Sequence, residues 1–179
     1  VTTCVIDVGC AKYGGDESIP YLIQEFSPDA LLGFDPQTAD DQYELDGCLV
    51  TTRRAAAWTH DGSVTFEHAG TSGRVSGAGV EVPCVDLVRV VSEALDDFDR
   101  VIVKMDAEGA EYELLPALIA AALDERLELV WVEWHCEACG RGSGDGSGHR
   151  DNCRDREGGY RRRADIVRII ECDVHPWNR

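Results

Sequence analysis

Lysine is almost missing from this chain: Lys12 and Lys104 are the only two. The other basic residues are arginines, and 34 acidic against 17 basic side chains leave a formal charge of −17. A surface of that sign repels phosphate backbones, which argues against DNA or RNA as a partner. It serves solubility, and it also suits a salty cytoplasm, where screening quiets the self-repulsion. Long apolar runs are missing too. The longest, near Leu114–Leu123 and Leu127–Trp134, fall short of the ~20 residues a membrane-spanning helix needs. The N-terminus has no basic stretch followed by an apolar one and a small-residue cleavage site, so the expectation is a cytoplasmic protein without a membrane partner.

What is present is a globular composition, with 44% apolar and 28% charged residues among 179. That suits a single domain spanning 1–179 with one sheet-and-helix core. The eight cysteines are even in number, as a disulfide framework requires. Yet Cys4, Cys10, Cys48, Cys84 and Cys172 are scattered through strand-like segments, where reduced cysteine acts as a small apolar side chain. Cys136, Cys139 and Cys153 sit together and are considered separately below.

Strand and helix patterns alternate along the chain. Thr3–Val8 is β-rich; Ser18–Phe26 has helical spacing, with Pro20 in its first turn. Leu31–Phe34 reads as a second strand, Ala39–Leu45 as a short acidic helix and Arg54–Trp58 as a third strand. Asp61-Gly62 is a turn signal before an alternating strand through Val64, Phe66 and His68. The glycine-rich stretch Gly70–Gly79 reads as a loop, followed by an extended segment at Val80–Val85. Asp86 is placed to cap a helix through Leu95. Val101–Met105 is a nearly all-apolar strand, Glu111–Leu123 a helix and Leu129–Trp134 another buried strand. A helix at Tyr160–Ile170 and a strand at Cys172–Trp177 complete the series. Buried strands separated by helices indicate a mostly parallel sheet covered on both faces. In such folds ligands bind beyond the carboxyl ends of the strands, where the strand order reverses.

The informative residues fall just after strands. Val5-Ile6-Asp7-Val8-Gly9-Cys10 ends a strand in Asp-x-Gly, and a residue without Cβ lets the backbone pass close to a ligand. The full G-x-G-x-x-G spacing of a dinucleotide site is lacking. Gly33-Phe34-Asp35-Pro36 puts an acid after the second strand, where it can accept hydrogen bonds from ribose hydroxyls. Alternatively, Asp35 caps a helix. Val103-Lys104-Met105-Asp106-Ala107-Glu108-Gly109-Ala110-Glu111 follows the next buried strand, and Val132-Glu133-Trp134-His135 ends the one after it.

Taken in order, these segments resemble the FkbM family of methyltransferases. Its members carry D-V-G after the first strand, an acid after the second, a K-x-D-x-E-G-x-E block and a late E-x-H. The Arg54-Ala55-Ala56-Ala57-Trp58 stretch is similar to the family's alanine-rich third strand, and Val80–Leu87 to its V-x-V-P-x-x-x-L-D region. The resemblance covers roughly residues 3–135. It implies an α/β class I, Rossmann-like methyltransferase fold: a three-layer sandwich on a mostly parallel sheet. It also implies S-adenosylmethionine as methyl donor and transfer to a hydroxyl of a small-molecule acceptor, a sugar or natural product. By position, Asp7, Gly9 and Cys10 would lie near the methionine part of the cofactor. Asp35 and Pro36 would meet the ribose, and Ala56 or Ala57 the adenine. Asp106 would face the cofactor's amino end or the acceptor.

A hydroxyl acceptor needs a base, or a cation that lowers its pKa. Asp106, Glu108, Glu133 and His135 are the candidate catalytic groups. Together they could hold Mg²⁺, or leave His135 as a metal-free base. Against a role in the site, Glu108 and Glu111 also suit a helix start, where negative charge is favoured.

A Cys/His-rich insertion at 136–159 follows the fifth strand. Cys136-x-x-Cys139 with His149 and Cys153 fits a tetrahedral structural zinc site; free thiols and a disulfide are the alternatives. It is not part of the family pattern. The chain also departs from that pattern after D-V-G, where Cys10-Ala11-Lys12-Tyr13-Gly14-Gly15 replaces Ala-Asn-x-Gly. No seventh strand is evident, which leaves a sheet edge open or covered by a partner subunit in a homodimer. A dehydrogenase using NAD and a non-catalytic zinc- or nucleotide-binding module are the competing readings.

Overall fold

The β-rich run Thr3–Val8 forms strand β1, and all six of its residues are buried. The structure, a computed structural model, describes residues 1–10, 18–69 and 72–132. After β1 come α1 (Ser18–Phe26), β2 (Ala30–Phe34), β3 (Asp41–Leu45), β4 (Cys48–Arg53) and β5 (Ala56–Trp58). Next are β6 (Gly62–Ala69), β7 (Ser72–Val75), β8 (Val80–Asp86), α2 (Leu87–Asp97) and β9 (Arg100–Met105). Helix α3 (Glu111–Ala120), a 3-10 turn at Asp124–Arg126 and β10 (Leu129–Val132) follow. The helix expected at Tyr160–Ile170, the strand at Cys172–Trp177 and the Cys/His-rich insertion lie outside the described residues.

The strands make two mixed sheets in an α/β arrangement. Six strands run in the order β10-β9-β1-β2-β4-β3, all parallel except β3, which lies antiparallel to β4 at the edge. The other four run β5-β8-β6-β7, with β5 parallel to β8 and β6 antiparallel to both its neighbours. The expected mostly parallel sheet corresponds to the six-stranded one, and the four-stranded sheet is additional to it.

Alternation along β1 assigns its side chains to two cores. Val5 packs with Ile19, Leu22 and Ile23 of α1. Cys4, Ile6 and Val8 join Leu87, Val91, Leu114 and Leu118 of α2 and α3. Helix α2 starts where its cap predicts: Asp86 accepts hydrogen bonds from the backbone N–H groups of Val88 and Arg89. Among the described residues no helix is long and apolar enough to cross a membrane.

Three local expectations change. The acidic stretch expected as a helix over Ala39–Leu45 is the strand Asp41–Leu45. Its cause is the Asp46-Gly47 pair, both at positive φ (50° and 83°). That pair closes a two-residue hairpin in which Leu45 faces Cys48, the geometry that favours Asp-Gly turns. The third parallel strand of the larger sheet, in chain order, is therefore Cys48–Arg53, with alternating burial. Ala56–Trp58 belongs to the smaller sheet. Finally, the glycine-rich stretch expected as a loop contains β7, paired with β6.

Candidate functional site

Strand order reverses between β1 and β9: the chain builds β2 and β4 on one side of β1, then β9 and β10 on the other. Crevices form at such a point, beyond the carboxyl ends of the strands. Three backbone hydrogen bonds stitch these ends together. Asp106 N donates to Val8 O (2.9 Å), Gly9 N to Phe34 O (2.9 Å) and Asp35 N to Arg53 O (3.2 Å). Each is made by the first residue past its strand, so Gly9, Asp35 and Asp106 line up along one rim.

An open cleft of about 650 Å³, its mouth included, lies along that rim. Gly9, Asp35, Pro36, Ala56, Ala57, Asp106 and Glu108, drawn from four separate stretches of sequence, all line it. Besides Ala56 and Ala57, the smaller sheet contributes Phe66, Gly73 and Val75 from β6 and β7, residues absent from the sequence-based expectation. Gly73 matters there because a Cβ would lie 2.3 Å from the Phe66 ring. Its bare backbone lets that ring pack close against β7.

At Gly9 the close approach is tighter. Its φ is +85°, and a Cβ would sit 1.9 Å from the Asp106 carbonyl oxygen. Only glycine allows the ends of β1 and β9 to meet this way. Asp35 folds back on its own turn: its Oδ1 accepts from Gln37 N at 2.7 Å. The Gln37 side chain in turn meets His68 Nδ1 at 3.2 Å, which ties the turn to β6.

Asp7 and Cys10 do not line the cleft. Asp7 is fully buried; its Oδ2 accepts from Ser18 Oγ at 2.6 Å and its Oδ1 faces Lys104 Nζ at 3.1 Å. Cys10 packs with the α1 core, and burial, then the nearby Asp7 and Asp35 carboxylates, push its thiol pKa up.

Lys104 opens the K-x-D-x-E-G-x-E block, but the sequence assigned it no role. Only 2% exposed, it contacts Asp7, lies 3.5 Å from Asp106 Oδ2 and donates to the Gly9 carbonyl at 3.1 Å. Burial pulls its pKa down, but Asp7 and Asp106 outweigh that and raise it, so it stays charged. The available signal was a lone lysine inside an otherwise apolar strand, which demands a buried partner.

Glu111 is a second structural anchor. It is fully buried, and its carboxylate accepts from Ala107 N (2.7 Å) and Gly109 N (2.8 Å). It thereby closes the strand-to-helix turn from behind, whereas Glu108 lines the cleft in a left-handed conformation (φ 50°). A non-glycine residue held there is uncommon and costs energy.

Among the described residues no group of three or more His, Cys, Asp or Glu side chains is placed to hold a metal ion. Glu133 and His135, expected beside Asp106 and Glu108, lie outside the described residues, as do Cys136, Cys139, His149 and Cys153. The charged side chains described on the cleft wall are Asp35, Asp106 and Glu108, all acidic. No family model, curated protein or solved structure matches the chain.

Proposed function

We propose that the cleft takes S-adenosylmethionine and that the protein is a methyltransferase of the class I, three-layer type. In this reading it methylates a hydroxyl of a small-molecule acceptor. One observation carries the reading: Gly9, Asp35 and Asp106 stand side by side at the point where strand order reverses, on a wall whose described charges are all carboxylates. Bound there, the cofactor would supply an electrophilic methyl group on a sulfonium cation.

The residues present suit such a ligand. Asp35 offers a carboxylate to ribose hydroxyls. Ala56, Ala57, Phe34 and Phe66 supply apolar lining for the adenine. Gly9 lets the ends of β1 and β9 close up at the cleft wall, and Asp106 and Glu108 make that wall acidic. Methyl transfer is an in-line displacement, so the protein's main contribution is to hold donor and acceptor in register. The acceptor's proton goes to a base, for which Asp106, Glu108, Glu133 and His135 are the candidates.

The same wall opposes NAD. A pyrophosphate is best held by unpaired N–H groups and positive charge, and the described wall presents acids instead. Calorimetric titration with S-adenosylhomocysteine and, separately, NAD tests the assignment. Saturable binding of the first and none of the second is expected. An idle cleft for S-adenosylhomocysteine together with tight NAD binding overturns it.

A further inference from the structure

We propose that the buried Asp7–Lys104–Asp106 set makes the cleft selective for ligand charge, favouring a nucleoside sulfonium cation over the same nucleoside as a neutral thioether. This rests on the nucleoside reading of the cleft given above and concerns how the spent product is told from the fresh donor.

The geometry separates the three charges into a hidden pair and a presented one. Asp7 and Lys104 are 0% and 2% exposed and 3.1 Å apart, so their charges cancel inside the protein. Asp106 is 30% exposed, lies 3.5 Å from the same ammonium and lines the cleft. The three side chains together sum to one negative charge, and Asp106 is the one on the cleft wall. Lys104 also holds the Gly9 carbonyl, so a dipole beside the cleft is fixed by the same side chain. Asp35 and Glu108 add charge of the same sign on the wall. Across the few ångströms of the cleft such a charge acts well within the screening length of salt.

S-adenosylmethionine and S-adenosylhomocysteine share adenine, ribose, amino and carboxylate groups, and differ by a methyl and by the charge on sulfur. The ratio of their dissociation constants therefore cancels contacts to the shared groups, and its change between charge variants reports the charge at sulfur. Asp106→Asn takes the set from −1 to neutral. Asp7→Asn does the same from a site that does not line the cleft, and its amide keeps an oxygen for Ser18. Glu44→Gln on the exposed edge strand β3 removes one acidic charge elsewhere.

Calorimetry with both nucleosides on these three variants and the wild type gives the test. Asp106→Asn and Asp7→Asn are expected to shift the ratio against the sulfonium by roughly tenfold, and Glu44→Gln to leave it in place. Equal weakening of both nucleosides in Asp106→Asn overturns the proposal, because the residue then acts on a shared group. So does a ratio unmoved by Asp7→Asn in a variant that still melts cooperatively, or one moved equally by Glu44→Gln. If Asp7→Asn does not fold, Asp106→Asn and Glu44→Gln decide. Failure of the wild type to bind either nucleoside is a different result, and it removes the site assignment itself.

Discussion

Lys104 Nζ lies 3.1 Å from Asp7 Oδ1, and neither side chain reaches solvent. Two strands meet at this pair, since Asp7 and Lys104 are register partners across β1 and β9. Burying each ion alone costs several kcal/mol, and the contact repays it only while both are present. Lys104→Met strands the Asp7 carboxylate and is expected to cost about 3–5 kcal/mol. The double change Asp7→Leu with Lys104→Met removes both charges and should recover much of that loss. Urea denaturation of the three proteins checks this; a single variant as stable as the wild type would sink it.

Glu111 should matter to the fold and to the cleft alike. Its carboxylate takes two backbone N–H groups of the turn that carries Glu108, and hydrogen bonds to a charged group contribute about 1.5–3 kcal/mol each. Glu111→Ala takes the charged acceptor from both part-buried donors, so a loss of roughly 3 kcal/mol is expected. Affinity for S-adenosylhomocysteine should fall with it, because the turn supplies part of the wall. Glu111→Gln keeps one acceptor and should lose less on both measures, read by thermal melting and calorimetry.

Asp35→Ala is expected to weaken nucleoside binding by roughly 1–3 kcal/mol through lost hydrogen bonds to the ribose. The comparison ligand is the 2′,3′-dideoxy nucleoside. If Asp35 meets the hydroxyls, removing them from the ligand and the carboxylate from the protein should not add. Fully additive losses would place Asp35 elsewhere, as a brace for the Gln37 turn.

The sequence made the rim legible because each of its residues follows a strand that is locally recognisable. Thr3–Val8, Leu31–Phe34 and Val101–Met105 are apolar, short and bounded by turn residues, so Gly9, Asp35 and Asp106 could be placed without knowing the pairing. Asp86 announced α2 by the same local logic. What stayed hidden depends on pairing between distant segments. Acids at Asp40, Asp41 and Glu44 imitate a helix face, and only the Asp46-Gly47 turn reveals the hairpin. Ala56–Trp58 could join either sheet on composition alone, and its partner β8 lies more than twenty residues away. The Phe66–Gly73 wall needs both strands of a hairpin that the glycine content disguised. Lys104 was masked by four apolar neighbours in β9, although its charge is what the strand must accommodate.

Alkaline pH should unfold the protein before acid exerts a comparable effect through the groups whose shifts are resolved. Burial, with Cys48 nearby, pushes the Cys4 thiol up to about 12; burial and then Asp29 push Cys48 up to about 11. Burial likewise raises Cys84, with Asp61 adding to it, and Cys10 rises for the reasons given above. A raised folded-state pKa contributes stability that is complete below the unfolded value and is lost as pH climbs to the folded one. For these thiols that window opens near 9.0 and extends to about 12, with a slope of up to about 1.4 kcal/mol per pH unit for each thiol. Lys104, also raised, adds its loss above its ordinary lysine value. On the acid side, the hydrogen bonds from Arg89 hold Asp61 down at about 2, so its contribution is present above pH 4 and fades only below it. Asp61 is exposed, which keeps that contribution small. Thermal melts should therefore be level from pH 6 to 8 as far as these groups are concerned and drop steeply above 9. Cys4, Cys10, Cys48 and Cys84, all at most 4% exposed, should stay silent to a thiol reagent at pH 8 until denaturant is added. Peptide mapping that finds Cys10 labelled in the folded protein would show that the end of β1 opens far more readily than its packing allows.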